Sequence, residues 1–276
     1  MKYRTYQKRT VGMHSSFKTN TVIEAANFPL LFEPGTAWQY SVGVDFAGEM
    51  VSRVSGNITL EEYLEKKVWG PLGMKDMTFH PASTPSVMEK LVDMSARKCG
   101  ITVFGTAEDP NAKVEHTDNR VWSLETVHCH GGGGGYGSVV EYQKLLQSLC
   151  ADDGKVLKPT TVAEMFKPQL TDAARKSFEF LRTVGPTNDT FGGVPLKVRT
   201  DWGIGGMITL DAYPGRSAGT MSWGGYPNLL WWIDKAAGIN GIFGTQIFQP
   251  GDPKVTSWAH EWAQEMSLKS GIKQTL

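Results

Sequence analysis

Phe32-Glu33-Pro34-Gly35-Thr36-Ala37-Trp38-Gln39-Tyr40-Ser41-Val42-Gly43 and, further on, Trp69-Gly70-Pro71-Leu72-Gly73-Met74-Lys75-Asp76-Met77-Thr78-Phe79 bracket the part of this chain whose reading decides its fold. Pro34-Gly35 is a turn signal, because proline presets its own φ and glycine accepts a positive one. After the turn, residues 44–54 bring Phe46, Met50, Val51 and Val54 to one side at helical spacing. Gly56 then supplies a stop, so a helix is predicted there. Thr59-Leu60-Glu61-Glu62 is a capping box. It opens a second helix that carries Leu60, Tyr63 and Leu64 inward and ends before Gly70-Pro71.

Beyond this stretch, residues 76–130 read as irregular, and residues 131–135 are five consecutive glycines. Ser138-Val139-Val140-Glu141 is another capping box, opening a helix with Tyr142, Leu145, Leu146 and Leu149 on its inner side. Thr161-Val162-Ala163-Glu164 repeats the cap pattern for a short helix. From residue 200 the character changes. Residues 207–212, 229–234 and 239–246 are rich in Ile, Leu, Trp, Phe and Thr between Gly and Pro, and read as antiparallel strands joined by short turns. Asp252-Pro253 begins a final helix, a cap followed by proline at the first position. Val255, Trp258, Ala259, Trp262, Ala263 and Met266 recur at its 3.6-residue period, a face wide enough to cover one side of a sheet. The fold class is therefore α+β, an antiparallel sheet flanked by helices plus a helical region. Residues 1–276 are expected to form one domain, with 1–150 mainly helical or irregular and 200–276 holding the sheet and C-terminal helix. There is no internal repeat.

Twenty-eight basic residues balance 28 acidic ones, so no basic excess marks a nucleic-acid binder. The three cysteines, Cys99, Cys129 and Cys150, are too few and too scattered for a disulfide framework and fit a reducing compartment. Lys2, Arg4, Lys8 and Arg9 have no apolar run behind them, so neither a secretory signal nor a membrane span is expected, and a cytoplasmic setting follows. The glycine run lacks the Gly-Lys-Ser/Thr ending of a phosphate loop and reads as a flexible turn. His128 and His130 flank Cys129, a trio of metal-ligand type. No second cluster of matching spacing exists, so the sequence predicts a surface loop there, no metal and no cofactor.

The two opening stretches resemble the serine β-lactamase and penicillin-binding-protein-like family, specifically its class C-related branch of fungal esterases and acyltransferases. They show its Pro-Gly turn, its tyrosine loop, a helix, and the phrase Pro71-Leu72-Gly73-Met74 followed by Asp76, Thr78 and Phe79. Ser222-Trp223-Gly224-Gly225-Tyr226, followed by Trp231-Trp232-Ile233-Asp234, resembles the family's Lys-Thr-Gly or His/Trp-x-Gly strand. Several linked motifs in order are more specific than any one alone. The resemblance implies a β-lactamase/transpeptidase-like fold and a small acyl ester or thioester substrate of the kind handled in fungal secondary metabolism. In that family a serine attacks an acyl carbonyl, and a lysine three residues later helps remove its proton. The loop tyrosine then shuttles the proton to the leaving group. Tyr40 matches this tyrosine. Trp223, Gly224 and Gly225 match a sheet-edge strand lining the cleft, and the Tyr226 N–H matches an oxyanion donor. Val42 stands where β-lactamases have asparagine, and no lysine or histidine stands at Trp223. Both departures favour an ester or thioester over a lactam.

The family's Ser-x-x-Lys belongs roughly a hundred residues before the tyrosine loop. Three pairs have this spacing here: Ser15 with Lys18, Ser95 with Lys98, and Ser270 with Lys273. Ser15 and Lys18 alone precede Tyr40, as a candidate nucleophile dyad, but too few residues separate them from it to hold the intervening helices. The expectation is that the domain's N-terminal part, with the nucleophile, is missing from the chain. An uncovered sheet face would then call for a partner. Two alternatives remain: a catalytically inactive relative that binds ligands in the old cleft, and an enzyme with a site rebuilt from other residues.

Overall fold

The computed structural model describes residues 21–26, 29–102, 105–120 and 123–269. In order, the elements are α1 (Val22–Ala26), α2 (Gly43–Val54), α3 (Leu60–Leu64), α4 (Gly70–Leu72), β1 (Met77–Thr78), α5 (Pro85–Met88), β2 (Ser95–Arg97), β3 (Val114–His116) and β4 (Tyr136–Gly137). Then follow α6 (Val139–Ala151), α7 (Pro159–Met165), α8 (Asp172–Arg182), α9 (Thr187–Thr190), β5 (Thr200–Trp202), β6 (Met207–Thr209), β7 (Met221–Gly225), β8 (Leu229–Asp234), β9 (Ile239–Phe243) and α10 (Pro253–Lys269). The chain divides into two compact units. One holds the described residues of 1–31, 40–91 and 120–141, the other those of 32–39, 92–119 and 142–276.

In the first unit the helix at 43–54 forms where its periodicity places it, with its apolar face outward. Val44, Met50 and Val54 are 63%, 66% and 84% exposed, and the buried residues are Asp45 and Gly48. The glycine run packs against the other side of α2. A Cβ on Gly131 would stand 3.2 Å from the Val44 carbonyl oxygen, and one on Gly132 2.5 Å from Asp45 Oδ2. The small and polar side of α2 lets the glycine turn come close, and the Gly132 N–H donates to Asp45 Oδ1 at 2.9 Å. The run is thus a packed turn fitted to α2. The Thr59 capping box is complete, with reciprocal Thr59 and Glu62 contacts. The helix does not end before Gly70-Pro71, however. It widens into a π turn at Glu65–Trp69, continues through α4, and stops at Gly73 in the left-handed region (φ +64°). Pro71 follows directly on the π turn, at the start of α4. The stretch read as irregular holds β1, β2 and β3: β2 pairs with β3, and β1 pairs with β4 beyond the glycine run.

In the second unit β5 to β9 form one antiparallel meander in sequence order. The strands foreseen at 207–212 and 239–246 end earlier, at Thr209 and Phe243. The strand read as a sheet edge, β7, is the middle of the five. Asp252 Oδ1 accepts the Lys254 and Val255 N–H groups and caps α10 as expected. Val255, Ala259 and Ala263 are buried beneath α10, and Trp262 meets Trp232 edge to face with ring centroids 5.1 Å apart. Trp258 and Met266 are 53% and 44% exposed, so the buried stripe is narrower than the periodic one. The Thr161 cap pattern lies inside α7, which begins at Pro159 without a side-chain cap. Helix α8 was not foreseen. It starts at Thr171, whose hydroxyl accepts the Ala174 N–H at 3.2 Å, and delivers Phe178, wholly buried, to the core with Phe191, Val194, Val198 and Met207. Trp38, Trp202 and Trp223 pack against this cluster, so much of the tryptophan content is core. The large apolar side chains of the five strands are buried or half-buried. Among the described residues, no helix is long and apolar enough to cross a membrane.

Candidate functional site

Tyr40 lies in the first unit just ahead of α2, in the loop of the quoted phrase, with 58% of its surface exposed. Burial around its hydroxyl raises its pKa above the ordinary phenol value, and the Asp45 carboxylate raises it further. Tyr40 therefore stays a neutral phenol across the physiological range.

Strand β7 belongs to the second unit. Its partner β8 sets Trp223 opposite Trp231, Gly224 opposite Leu230 and Gly225 opposite Leu229. The Trp223 ring lies against Trp202 and Phe191, with centroids 4.6 Å and 5.3 Å away. The glycines answer first to the hairpin. A Cβ on Gly224 would stand 2.2 Å from the Leu229 carbonyl oxygen, and one on Gly225 2.9 Å from Leu229 Cδ1. Tyr226 begins the turn into β8, its ring edge-to-face with Phe248 at 5.8 Å. Asn228 completes the turn at φ +57°, a region asparagine tolerates. Its side-chain amide donates to the Ile247 and Gln249 carbonyls, which fixes the turn to the segment leading into α10.

Of the three Ser-x-x-Lys pairs, the candidate dyad of Ser15 and Lys18 falls outside the described residues. The pair of Ser270 and Lys273 falls outside them too. Ser95 and Lys98 are described and do not form a dyad. Ser95 is in β2 and its hydroxyl donates to the Gln246 carbonyl, while Lys98 pairs with Glu115 at 3.1 Å. In extended chain, residues three apart point to opposite faces, so the two side chains diverge.

The cysteine-histidine loop behaves unlike its sequence reading. His130 is buried and directs Nδ1 toward Asp45 Oδ1 at 3.9 Å. His128 interacts electrostatically with Glu24. The Cys129 Sγ lies 3.6 Å from His80 Nε2, and Glu61 Oε2 lies 3.4 Å from the same nitrogen. Sequence reading missed this trio because its members come from α3, the segment after β1 and the loop before the glycine run. No spacing rule connects them. Burial raises the Cys129 thiol pKa, and the Glu61 charge adds to that, partly offset by the Glu61 and Leu60 N–H groups. A thiol in this state is a poor nucleophile.

The profile of the beta-lactamase family matches residues 8–264. The chain is 31% identical over 270 residues to "Acyltransferase calJ" of Penicillium decumbens, covering 96% of this chain and 60% of that protein. It is 32% identical over 240 residues to "Lovastatin esterase" of Penicillium rubens, covering 85% of this chain and 57% of that protein. Among solved structures, the LovD6 mutant of "Simvastatin Synthase" from Aspergillus terreus superposes with a TM-score of 0.79 at 28% identity, over 94% of this chain and 64% of that one. This chain thus spans less than two thirds of the length of each of these relatives. The fold is β-lactamase/transpeptidase-like, and the relatives are acyl-transfer and ester-cleaving proteins of fungi. The chain belongs to the beta-lactamase family.

Proposed function

We propose that this chain carries the tyrosine and sheet side of a serine acyl-transfer site acting on a small ester or thioester in fungal secondary metabolism. The observation that carries the reading is Tyr40, held neutral ahead of α2 within the family phrase, in a chain whose relatives are acyltransferases and esterases. In this reading a serine oxygen forms a bond to the acyl carbon, and the carbonyl electrons move to an oxyanion that the Tyr226 N–H helps to hold. As the bond to the leaving group breaks, Tyr40 hands that group a proton. Val42 and Trp223 supply no amide or cation for the carboxylate of a lactam substrate, which favours a simple ester or thioester. The attacking serine lies outside the described residues. The three free cysteines fit a reducing, cytoplasmic setting.

The test uses a serine-directed fluorophosphonate and a p-nitrophenyl ester, applied to the 276-residue chain and to the same chain with a family Ser-x-x-Lys segment fused ahead of residue 1. The chain alone is expected to take up no stoichiometric label. The fusion is expected to label at the added serine and to turn over ester faster by on the order of 10⁶-fold, the scale on which a nucleophile acts. Stoichiometric labelling of Ser15, abolished by Ser15→Ala and slowed by Lys18→Ala, would contradict this reading. So would labelling at any serine of the described residues.

A further inference from the structure

The strongest unassigned feature of the first unit is the meeting of Glu61, His80 and Cys129. Each offers one ligand atom, and the three atoms lie within 4.8 Å of one another. His80 Nδ1 is 2.9 Å from the Thr126 carbonyl. A carbonyl can only accept, so Nδ1 carries the hydrogen and, in the neutral ring, Nε2 presents a lone pair to Glu61 and Cys129. The carboxylate is fixed from behind, Oε1 accepting the Thr78 hydroxyl at 2.8 Å and Oε2 the Phe79 N–H at 3.0 Å. Both features are what orients a metal ligand: the imidazole's second nitrogen donating to a carbonyl, and the carboxylate held by donors.

Two of the three edges fit a tetrahedral zinc site, and the third, Glu61 to Cys129, is within 4.8 Å. Zinc bonds of ~2.0 Å to oxygen and nitrogen and ~2.3 Å to sulfur, at tetrahedral angles, put oxygen and nitrogen ~3.3 Å apart and nitrogen and sulfur ~3.5 Å apart. Here Glu61 Oε2 and His80 Nε2 are 3.4 Å apart, and His80 Nε2 and Cys129 Sγ are 3.6 Å apart. Two of the three, His80 and Cys129, also line a cleft of about 130 Å³ together with Leu60, Ser52 and His128. That is room for a water.

We propose that Glu61, His80 and Cys129 bind a zinc-class divalent cation, with water as the fourth ligand. The donor set of one thiolate, one imidazole and one carboxylate favours zinc over the hard cations, which prefer all-oxygen sites. On binding, the Cys129 S–H bond breaks, its proton leaves to solvent, and a metal–sulfur bond forms with no change of oxidation state. The cation ties α3, the segment after β1 and the loop before the glycine run to one point.

The test is titration of the metal-stripped full chain with cobalt(II) alone, followed by absorption. Cobalt reports the site because a thiolate ligand gives a near-ultraviolet charge-transfer band and tetrahedral geometry gives intense visible bands. Both are expected to saturate at equimolar cobalt and to vanish on adding zinc. Cys129→Ser is expected to abolish the charge-transfer band, while Cys99→Ser and Cys150→Ser leave it unchanged. Should Cys129→Ser fail to fold by circular dichroism, His80→Gln and Glu61→Gln carry the test, each expected to weaken cobalt binding by about 100-fold or more. The proposal is overturned by a chain that gives no charge-transfer band, by a band that survives Cys129→Ser, or by unchanged cobalt affinity in both glutamine variants.

Discussion

Asp45 shows how far a single residue can depart from what its type suggests. Its carboxyl is buried in α2, and that burial raises its pKa above the ordinary 3.8, opposed by the Gly132 N–H and by His130. A carboxyl whose pKa is higher in the folded chain holds its proton more tightly when folded. Its contribution to stability therefore falls as pH rises from 3.8 to the raised folded value, and is level above that. Asp45→Asn keeps an acceptor for the Gly132 N–H and removes the buried charge. Urea midpoints measured from pH 4 to pH 7 are expected to show wild type losing ground to Asp45→Asn as pH rises, with the variant at least as stable at pH 7. A variant clearly weaker at pH 7, with the same pH slope as wild type, would mean that the carboxylate's charge is needed. Residue-scale features were legible in sequence wherever they were local, as in the Thr59 capping box and the Asp252 cap. The Glu61, His80 and Cys129 trio was not legible, because only the fold brings its members together.

Among the elements, periodicity predicted helices well and left open which face of α2 turns inward. The 3.6-residue repeat located α2 and α10. The glycine run packs against the small side of α2, at Gly48 and Asp45. Helix α8 escaped notice because nothing in the reading singled out Thr171 as its cap. Strand β7 is legible in sequence only through the family resemblance of residues 222–226. In the structure Gly224 is already required by the hairpin. An alanine Cβ there would stand 2.2 Å from a backbone oxygen that has no rotamer with which to yield. Gly224→Ala is expected to destabilise by about 1–3 kcal/mol in chemical denaturation. Gly43→Ala, whose Cβ meets Ser41 Oγ at an ordinary 3.8 Å, is expected to stay within about 0.5 kcal/mol of wild type. Equal effects at the two positions would show that clash against β8 is not what fixes Gly224.

At the scale of the whole molecule, the α+β class and the family were legible because several motifs occur in family order from Phe32 to Asp234. The location of the nucleophile was not, since Ser-x-x-Lys recurs by chance. Ser95 and Lys98 diverge along extended chain, while Ser15 and Lys18 lie outside the described residues. The proposed role of Tyr40 is that of proton carrier to the leaving group. The direct measurement is steady-state acyl transfer to an alcohol by the Ser-x-x-Lys fusion, with and without Tyr40→Phe. That substitution keeps the ring and removes only the proton carrier. The account predicts a fall in kcat of about 10²–10⁴-fold with KM for the ester nearly unchanged, the signature of a lost general acid. An unchanged kcat in Tyr40→Phe would contradict it.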